Sequence, residues 1–311
     1  MVHVQASGSR KAARMSTPPV WALWRDGRGR LSPWRIAILA LLLWPAVLAA
    51  WTMATAGLGA RPLNDLIHRS GYWAVIFIMA TLAITPLGRI RGLAPLLDVR
   101  RILGVGAFAY AAGHFFLYVA DQHFNLLTVA SEIVRRLYLT VGFVALIGLA
   151  VLAATSTDGM VRRLGGRRWQ RLHQLSYGIA LLALVHFFQQ TKLDVSVPTL
   201  FAGLFVWLMG YRLAAWRWWP RGQMPAWALL ALALTVTILV FLVEAVVIGI
   251  VFGVSPLMVL GAAFDFEYDI RAGWLVLAAG LCVVALDLAG RMMRPAAAKA
   301  SALRKPAATP R

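Results

Sequence analysis

Eight long runs of apolar residues constrain the fold of this chain more than any other feature of its sequence. A helix that crosses the hydrocarbon core of a bilayer needs roughly 20 apolar residues. The runs cover residues 36–55, 72–88, 102–120, 137–155, 173–190, 197–215, 225–252 and 272–289. They predict an all-α polytopic membrane protein with eight spanning helices, surrounded by membrane lipid.

The overall composition excludes the main soluble classes of protein. Of the 311 residues, 60% are hydrophobic and 14% are charged, whereas soluble domains usually carry about a quarter charged residues. A water-soluble globule of this composition could not cover its apolar surface, and a disordered chain would be far more polar. The single cysteine, Cys282, excludes an intrachain disulfide and cysteine-based metal clusters, and we expect it to be inert packing.

The basic residues that give the net charge of +19 lie in short stretches between the apolar runs rather than on one binding face. Of the 31 basic residues, 25 lie in the stretches 1–35, 89–101, 156–172, 212–222 and 290–311. The positive-inside rule therefore predicts that both termini are cytoplasmic. A nucleic-acid partner is not expected, because it would need a basic face on a soluble module.

The pattern divides the chain into four segments. A basic cytoplasmic segment, 1–35, precedes a six-helix transmembrane domain over 36–215. A two-helix extension follows over 216–293, and its helices contain Glu244 and Asp287. Glu244 either handles protons or a quinone or is a hydrogen-bonded structural carboxyl, and the structural role is favoured. The tail, 294–311, is rich in Ala, Pro and Lys and is predicted to be disordered.

Two histidines on the predicted helices lie at equal depth. His114 lies 13 residues beyond Arg101, and His186 lies 13 residues beyond His173. Both are therefore about 20 Å from the predicted cytoplasmic surface. Such a pair could ligate one haem iron from its two faces, and Gly113 would let a bulky ring approach the helix. The alternative is that each histidine bonds to an ordinary backbone or hydroxyl group.

A third histidine, His173, lies at the predicted cytoplasmic end beside Trp169. The matching depth on the third helix holds Arg100 and Arg101, so a second bis-histidine haem is not predicted. His173 could ligate a second haem with another partner, or contact a flavin phosphate or a quinone. Arginines suit phosphates and haem propionates. The alternative is an interfacial histidine within a basic topology loop.

Several short motifs occur in an order that is specific when they are taken together. They are Thr81–Pro86, Arg100–Gly104, Phe108–His114, Thr155–Thr157, Arg163–Gly165, Trp169–His173 with Tyr177, and His186 with Lys192. Over about residues 36–215 the chain thus resembles the MsrQ family of haem-binding membrane subunits, in the ferric-reductase-like transmembrane superfamily. The long N-terminal segment and the two helices after residue 220 carry no family motif.

The resemblance implies a six-helix core that binds b-type haem, with His114, His173 and His186 in the family's three histidine positions. It implies a multi-pass protein of the bacterial inner membrane, an electron-transfer subunit rather than the catalytic subunit. Electrons would pass from the quinone pool or a cytosolic flavin reductase to a periplasmic molybdenum-cofactor reductase of the MsrP type, which repairs methionine sulfoxide in oxidised proteins. FMN is associated with the family, but no residue here is assigned to it.

Two other functions stay open at this point. A ferric or quinone reductase would use the same haem but deliver electrons to small acceptors. A cofactor-free transporter or assembly protein would be colourless when pure. The sequence shows no pair of interrupted helices in matching halves, which argues against a transporter.

Overall fold

The computed structural model describes residues 23–25, 29–55, 57, 59–90, 93–191, 194–220, 223–267 and 269–303, with side chains up to Met292. Most of the basic N-terminal segment, Lys192 of the motif set and residues 304–311 of the tail lie outside the described residues. Within the described part the secondary structure is helical apart from one isolated β-bridge between Arg25 and Leu31.

The described part of the chain forms twelve α-helices and one short 3-10 helix over Ala94–Val99. The α-helices are α1 (Pro33–Thr55), α2 (Pro62–Gly88), α3 (Arg100–Asp121), α4 (Leu126–Arg135), α5 (Leu137–Ala154), α6 (Asp158–Leu164), α7 (Gly166–His173), α8 (Leu175–Gln190), α9 (Ser196–Trp218), α10 (Ala226–Phe252), α11 (Pro256–Ala262) and α12 (Ala272–Leu303).

Seven helices in the described part are long and apolar enough to cross a membrane, namely α1, α2, α3, α5, α9, α10 and α12. These helices confirm the prediction of an all-α polytopic membrane protein. The predicted run 173–190 instead contains α8, which has 16 residues and follows α7. The count of eight spans, the six-plus-two division and the cytoplasmic location of both termini stay predictions.

Helix α8 nevertheless covers nearly the same depth as α5. Near its C-terminal end, His186 contacts Tyr138 in the first turn of α5. Just before α8 begins, Trp169 donates a hydrogen bond to Thr155 at the other end of α5. The two helices therefore run antiparallel with their ends aligned, and α5 is itself of spanning length.

Two helix ends differ from the sequence prediction. Helix α2 begins at Pro62, ten residues before the apolar run, which does not include the first turns because they are polar. His68 therefore lies exposed on a helix, and not in a loop between the first two apolar runs. Helix α12 continues to Leu303, so residues 294–303 are helical where a disordered tail is predicted. Alanine is the strongest helix former, and this segment is rich in alanine.

The core of the bundle is built around α2. In an 18-residue apolar stretch of α2, half of the residues are buried inside the protein. In the corresponding stretch of α1 only 11% are buried, so α1 lies at the edge of the bundle. Phe77 and Leu82 of α2 are fully buried, as is Leu103 of α3. On the other side of the molecule α10 and α12 pack against α9, where Gly203 leaves room for Val276.

The two carboxyl groups in the extension are buried in ion pairs. Glu244 of α10 lies 3.3 Å from the guanidinium of Arg271, and Asp287 of α12 lies 2.7 Å from that of Arg291. The contact with Arg271 supports the structural role favoured for Glu244. Cys282, in contrast, is exposed on the apolar surface of α12, so the expectation that it packs inside the protein is wrong.

Candidate functional site

His114 of α3 and His186 of α8 face each other at one end of the bundle. Their ring centroids are 6.2 Å apart, and their ring planes make an angle of 80°. Both side chains are half-buried. The structure therefore brings together the two histidines that the sequence places at equal depth.

Each of these imidazoles is bonded to the backbone of a neighbouring helix through Nδ1. His114 donates to the carbonyl of Ile67, and His186 donates to the carbonyl of Tyr138, both at 2.8 Å. A carbonyl can only accept, so Nδ1 carries the proton in both rings. The lone pair of each neutral ring is then on Nε2, the atom that would bind a metal.

The spacing of the two rings fits ligation of one metal from opposite sides. Metal–imidazole bonds of about 2 Å place the centroids of two opposed ligands roughly 6 Å apart. The observed separation of His114 and His186 matches this value. Two neutral histidines with oriented rings are a donor set that suits haem iron in electron transfer.

The close approaches to these rings involve glycines that the sequence analysis did not select. Gly113, next to His114, has open space in its Cβ direction, so the expectation that it lets a bulky ring approach the helix stays a prediction. Gly71 of α2 lies against the His114 ring, and Gly142 of α5 lies against the His186 ring. A search for glycines at the depth of each histidine on other helices could have found both.

His173 lies at the opposite end of α5 and α8, about 20 Å along the helices from His186. Its ring stacks on Trp169, with centroids 3.9 Å apart and an angle of 25°. Nδ1 is 3.1 Å from the carbonyl of Trp169, and Nε2 is 3.3 Å from Oγ of Ser156. The structure therefore keeps His173 apart from the facing pair.

The two candidate arginines at the start of α3 have different surroundings. Arg100 and Arg101 are both close enough for their charges to act on the His173 imidazole. Arg101 is paired with Asp158 at the start of α6, and this guanidinium holds the pKa of the Asp158 carboxyl below its usual value. Arg100 is thus the better placed of the two to bind an anionic ligand near His173.

The sequence analysis counted Arg212 only as a basic loop residue, but it belongs to this end of the bundle. Its guanidinium lies over the Tyr177 ring at 5.2 Å and donates to the carbonyls of Leu208 and Leu82. It forms no ion pair within the described residues, and its charge interacts with that of Arg100. A cation inside the apolar stretch of α9 was the signal that could have found it.

Comparison with known proteins identifies the family of the chain. Residues 70–184, which contain His114 and His173, match the family described as "Ferric reductase like transmembrane component". No solved structure matches the chain. The matched region runs from within α2 into α8 and ends two residues before His186.

Several curated bacterial proteins are similar over most of their length, and each is named "Protein-methionine-sulfoxide reductase heme-binding subunit MsrQ". The protein of Xanthomonas oryzae pv. oryzae strain MAFF 311018 is 43% identical over 206 residues, which are 66% of this chain and 90% of that protein. The protein of Rhodospirillum rubrum is 41% identical over 180 residues, 58% of this chain and 86% of that protein. With its apolar helices, this chain is a multi-pass protein of the bacterial inner membrane. It belongs to the MsrQ family, within the ferric-reductase-like transmembrane superfamily.

Proposed function

We propose that this chain is a b-type haem subunit that carries electrons across the inner membrane to a periplasmic molybdenum-cofactor reductase of methionine sulfoxide in proteins. The facing pair of His114 and His186 carries the proposal, because its separation and its Nδ1 hydrogen bonds fit two ligands of one haem iron. The names of the relatives, which describe heme-binding subunits of a protein-methionine-sulfoxide reductase, support it.

The protein's part in this function is to hold and tune the redox group. When bound, haem supplies a one-electron ferric/ferrous couple. His114 and His186 supply the Nε2 ligands, and the carbonyls of Ile67 and Tyr138 orient the rings. A hydrogen bond from Nδ1 makes an imidazole a stronger donor, which favours the ferric form and lowers the reduction potential.

Electron entry in this proposal is at the His173 end, which the positive-inside rule assigns to the cytoplasm. Arg100 and Arg212 add positive charge there, and Trp169 offers an aromatic face. These groups suit the propionates of a second haem, the phosphate of FMN or a bound quinone. A second redox group is needed because tunnelling rates fall steeply with distance and about 20 Å separate the two ends.

The test of the haem ligands is the haem content of purified variants. We expect His114→Ala and His186→Ala each to lose most of the Soret absorbance and of the haem measured as pyridine haemochrome. His68→Ala is the matched control, because His68 is an exposed histidine of α2 near the same end. Stoichiometric haem in both alanine variants would refute the assignment, and a colourless wild-type protein would favour the cofactor-free transporter or assembly protein.

The electron acceptor is tested by reoxidation of the reduced protein. We expect an oxidised molybdenum-cofactor reductase of the MsrP type to reoxidise the haem faster than ferric chelates at equal concentration. The description of the matched family as ferric-reductase-like is the observation behind the main alternative, a reductase of ferric iron or quinone. Reoxidation by ferric chelates or quinones alone would establish that alternative. Reduction by quinol is compared with reduction by a cytosolic flavin reductase to identify the donor.

A further inference from the structure

The His114 ring lies in a small site on α2 that is formed by a carbonyl and a glycine one turn later. Its Nδ1 donates to the carbonyl of Ile67 at 2.8 Å. A Cβ atom at Gly71 would lie 3.0 Å from both Nδ1 and Cε1 of the ring. We call this combination of a carbonyl and the glycine four residues later an imidazole seat.

The His186 ring lies in a second imidazole seat of the same kind, on α5. Its Nδ1 donates to the carbonyl of Tyr138, also at 2.8 Å. A Cβ atom at Gly142 would lie 2.8 Å from Nδ1 and Cε1. The spacing between carbonyl and glycine is again four residues, so the two seats have the same construction.

Helix geometry explains why the second member of each seat is glycine. The carbonyl of residue i already accepts a hydrogen bond from the N–H of residue i+4. A side chain from another helix can reach the remaining lone pair only by lying alongside residue i+4. A Cβ atom at that position would occupy the space of the ring, since contacts of 2.8–3.0 Å are well inside the usual van der Waals distance between carbon atoms.

These two glycines are distinct from the others that the structure describes. Several other glycines also make close contacts, but with aliphatic or aromatic side chains: Gly106 with Leu42 and Gly148 with Ile179 are examples. Among the described glycines, Gly71 and Gly142 alone lie against histidine rings. Each of these rings belongs to the facing pair.

The two seats form a duplicated arrangement that is not visible as a sequence repeat. The carbonyl and the histidine are 47 residues apart in the first seat and 48 in the second. In both cases the seat lies near the start of one long helix and the histidine lies in the C-terminal half of another. Both rings are therefore held on the Nδ1 side, and their Nε2 atoms are left for a ligand.

We propose that Gly71 and Gly142 are positioning residues for the haem ligands. By keeping the carbonyl open to the ring, each glycine fixes the Nδ1–H tautomer and the rotation of one imidazole, and so sets the 80° angle between the rings. The inference rests on the proposed function, because it concerns the ligands of the same haem. It adds a control of the reduction potential by residues that touch no iron.

Gly142→Ala is the test, and its readouts are those of the ferric haem rather than of turnover. The Cβ atom displaces the ring and weakens its bond to Tyr138, which lowers the donor strength of the imidazole. We expect haem affinity to fall about 10–100-fold, the reduction potential to rise, and the strongly anisotropic low-spin EPR signal of near-perpendicular imidazoles to change. Gly71→Ala acts in the same direction but less, because its contact is 3.0 Å rather than 2.8 Å.

Two control variants separate positioning from a general effect of alanine. Gly104→Ala lies on the same helix as His114 and meets only Thr81, at an ordinary 3.7 Å. Gly203 is far along the chain from either seat. Gly203→Ala crowds Val276 at 2.7 Å, and we expect this crowding to lower thermal stability. Neither control changes the EPR signal or the potential of the haem that is bound.

The outcomes distinguish this inference from the proposed function. Wild-type protein with bis-histidine haem, combined with unchanged affinity, EPR signal and potential in Gly142→Ala, would overturn the role of the seats alone. Equal shifts in Gly203→Ala would overturn it as well. Wild-type protein that binds no haem would overturn the proposed function first. A graded shift, larger for Gly142→Ala than for Gly71→Ala and absent from both controls, supports the inference.

Discussion

Ionisable side chains inside this bundle are held in two different ways, and the difference separates structure from function. His114 and His186 each use one ring nitrogen for a backbone carbonyl and keep the other nitrogen free of a protein partner in the described residues. Glu244 and Asp287 instead meet an arginine directly. A group with one atom left unused is prepared for a ligand, whereas an ion pair satisfies both of its members.

The Glu244–Arg271 pair gives a prediction about stability. Arg271→Met leaves the buried Glu244 carboxyl without its cation, and we expect a loss of about 3 kcal/mol, the lower end of the cost of breaking a buried pair, because Arg271 is partly exposed. Glu244→Leu combined with Arg271→Met removes both charges and should recover most of the loss. Thermal unfolding in detergent measures both variants.

The double variant also tests the alternative role of Glu244. If the pair is structural, the double variant keeps electron transfer at the wild-type rate as well as most of its stability. A stable double variant that cannot accept electrons from quinol would instead show that Glu244 handles protons or a quinone. Asp287→Asn is the matched control, since Asp287 is a second buried carboxyl paired with an arginine in the same extension.

At the scale of elements, the apolar runs predicted most of the long helices well, because a spanning segment must be apolar over its whole length. They failed where a helix leaves the apolar region. The polar first turns of α2 contain Ile67, whose carbonyl binds His114, and these turns were assigned to a loop. The amphipathic helix α4 was missed for the same reason, since its ten residues do not form an apolar run.

Helix depth predicted which histidines pair, but packing decided what surrounds them. Equal distances from the helix starts put His114 and His186 together, because helical rise is regular. Nothing in the local sequence marked Gly71 or Gly142, since each contact joins helices that are distant along the chain. The charge of Arg212 inside an apolar stretch did mark that residue, but not its carbonyl partner Leu82, which is 130 residues away. One-dimensional patterns therefore predicted the pair of histidines proposed as ligands, and three-dimensional packing added the groups that surround them.

At the scale of the whole molecule, the distribution of charge and the proposed cofactor positions together predict a direction of electron flow. The end with Trp169 and His173 adjoins the arginine-rich stretches, whereas the His114–His186 end adjoins stretches with few basic residues. If the basic end is cytoplasmic, electrons leave toward the periplasm, where the proposed acceptor resides. The reverse orientation would place the facing histidines next to the cytoplasm and would contradict the proposed partner.

The orientation is testable by labelling, because the chain has one native cysteine. Cys282→Ser gives a background without thiols, into which single exposed cysteines are introduced as Arg163→Cys and Asp265→Cys. Of the basic residues, 25 lie in the stretches predicted to face the cytoplasm and 6 in the others. We therefore expect a membrane-impermeant maleimide to label position 265 in intact spheroplasts and to label position 163 only after the membrane is opened.

Moving several arginines across the bilayer has a large cost, so each position should lie on one side of the membrane only. Label on both positions, or on neither, in intact spheroplasts would show that one helix between them does not span, and α8 is the shortest candidate, with 16 residues. Label at position 163 alone would reverse the direction of electron transfer and exclude a periplasmic acceptor at the His114–His186 end.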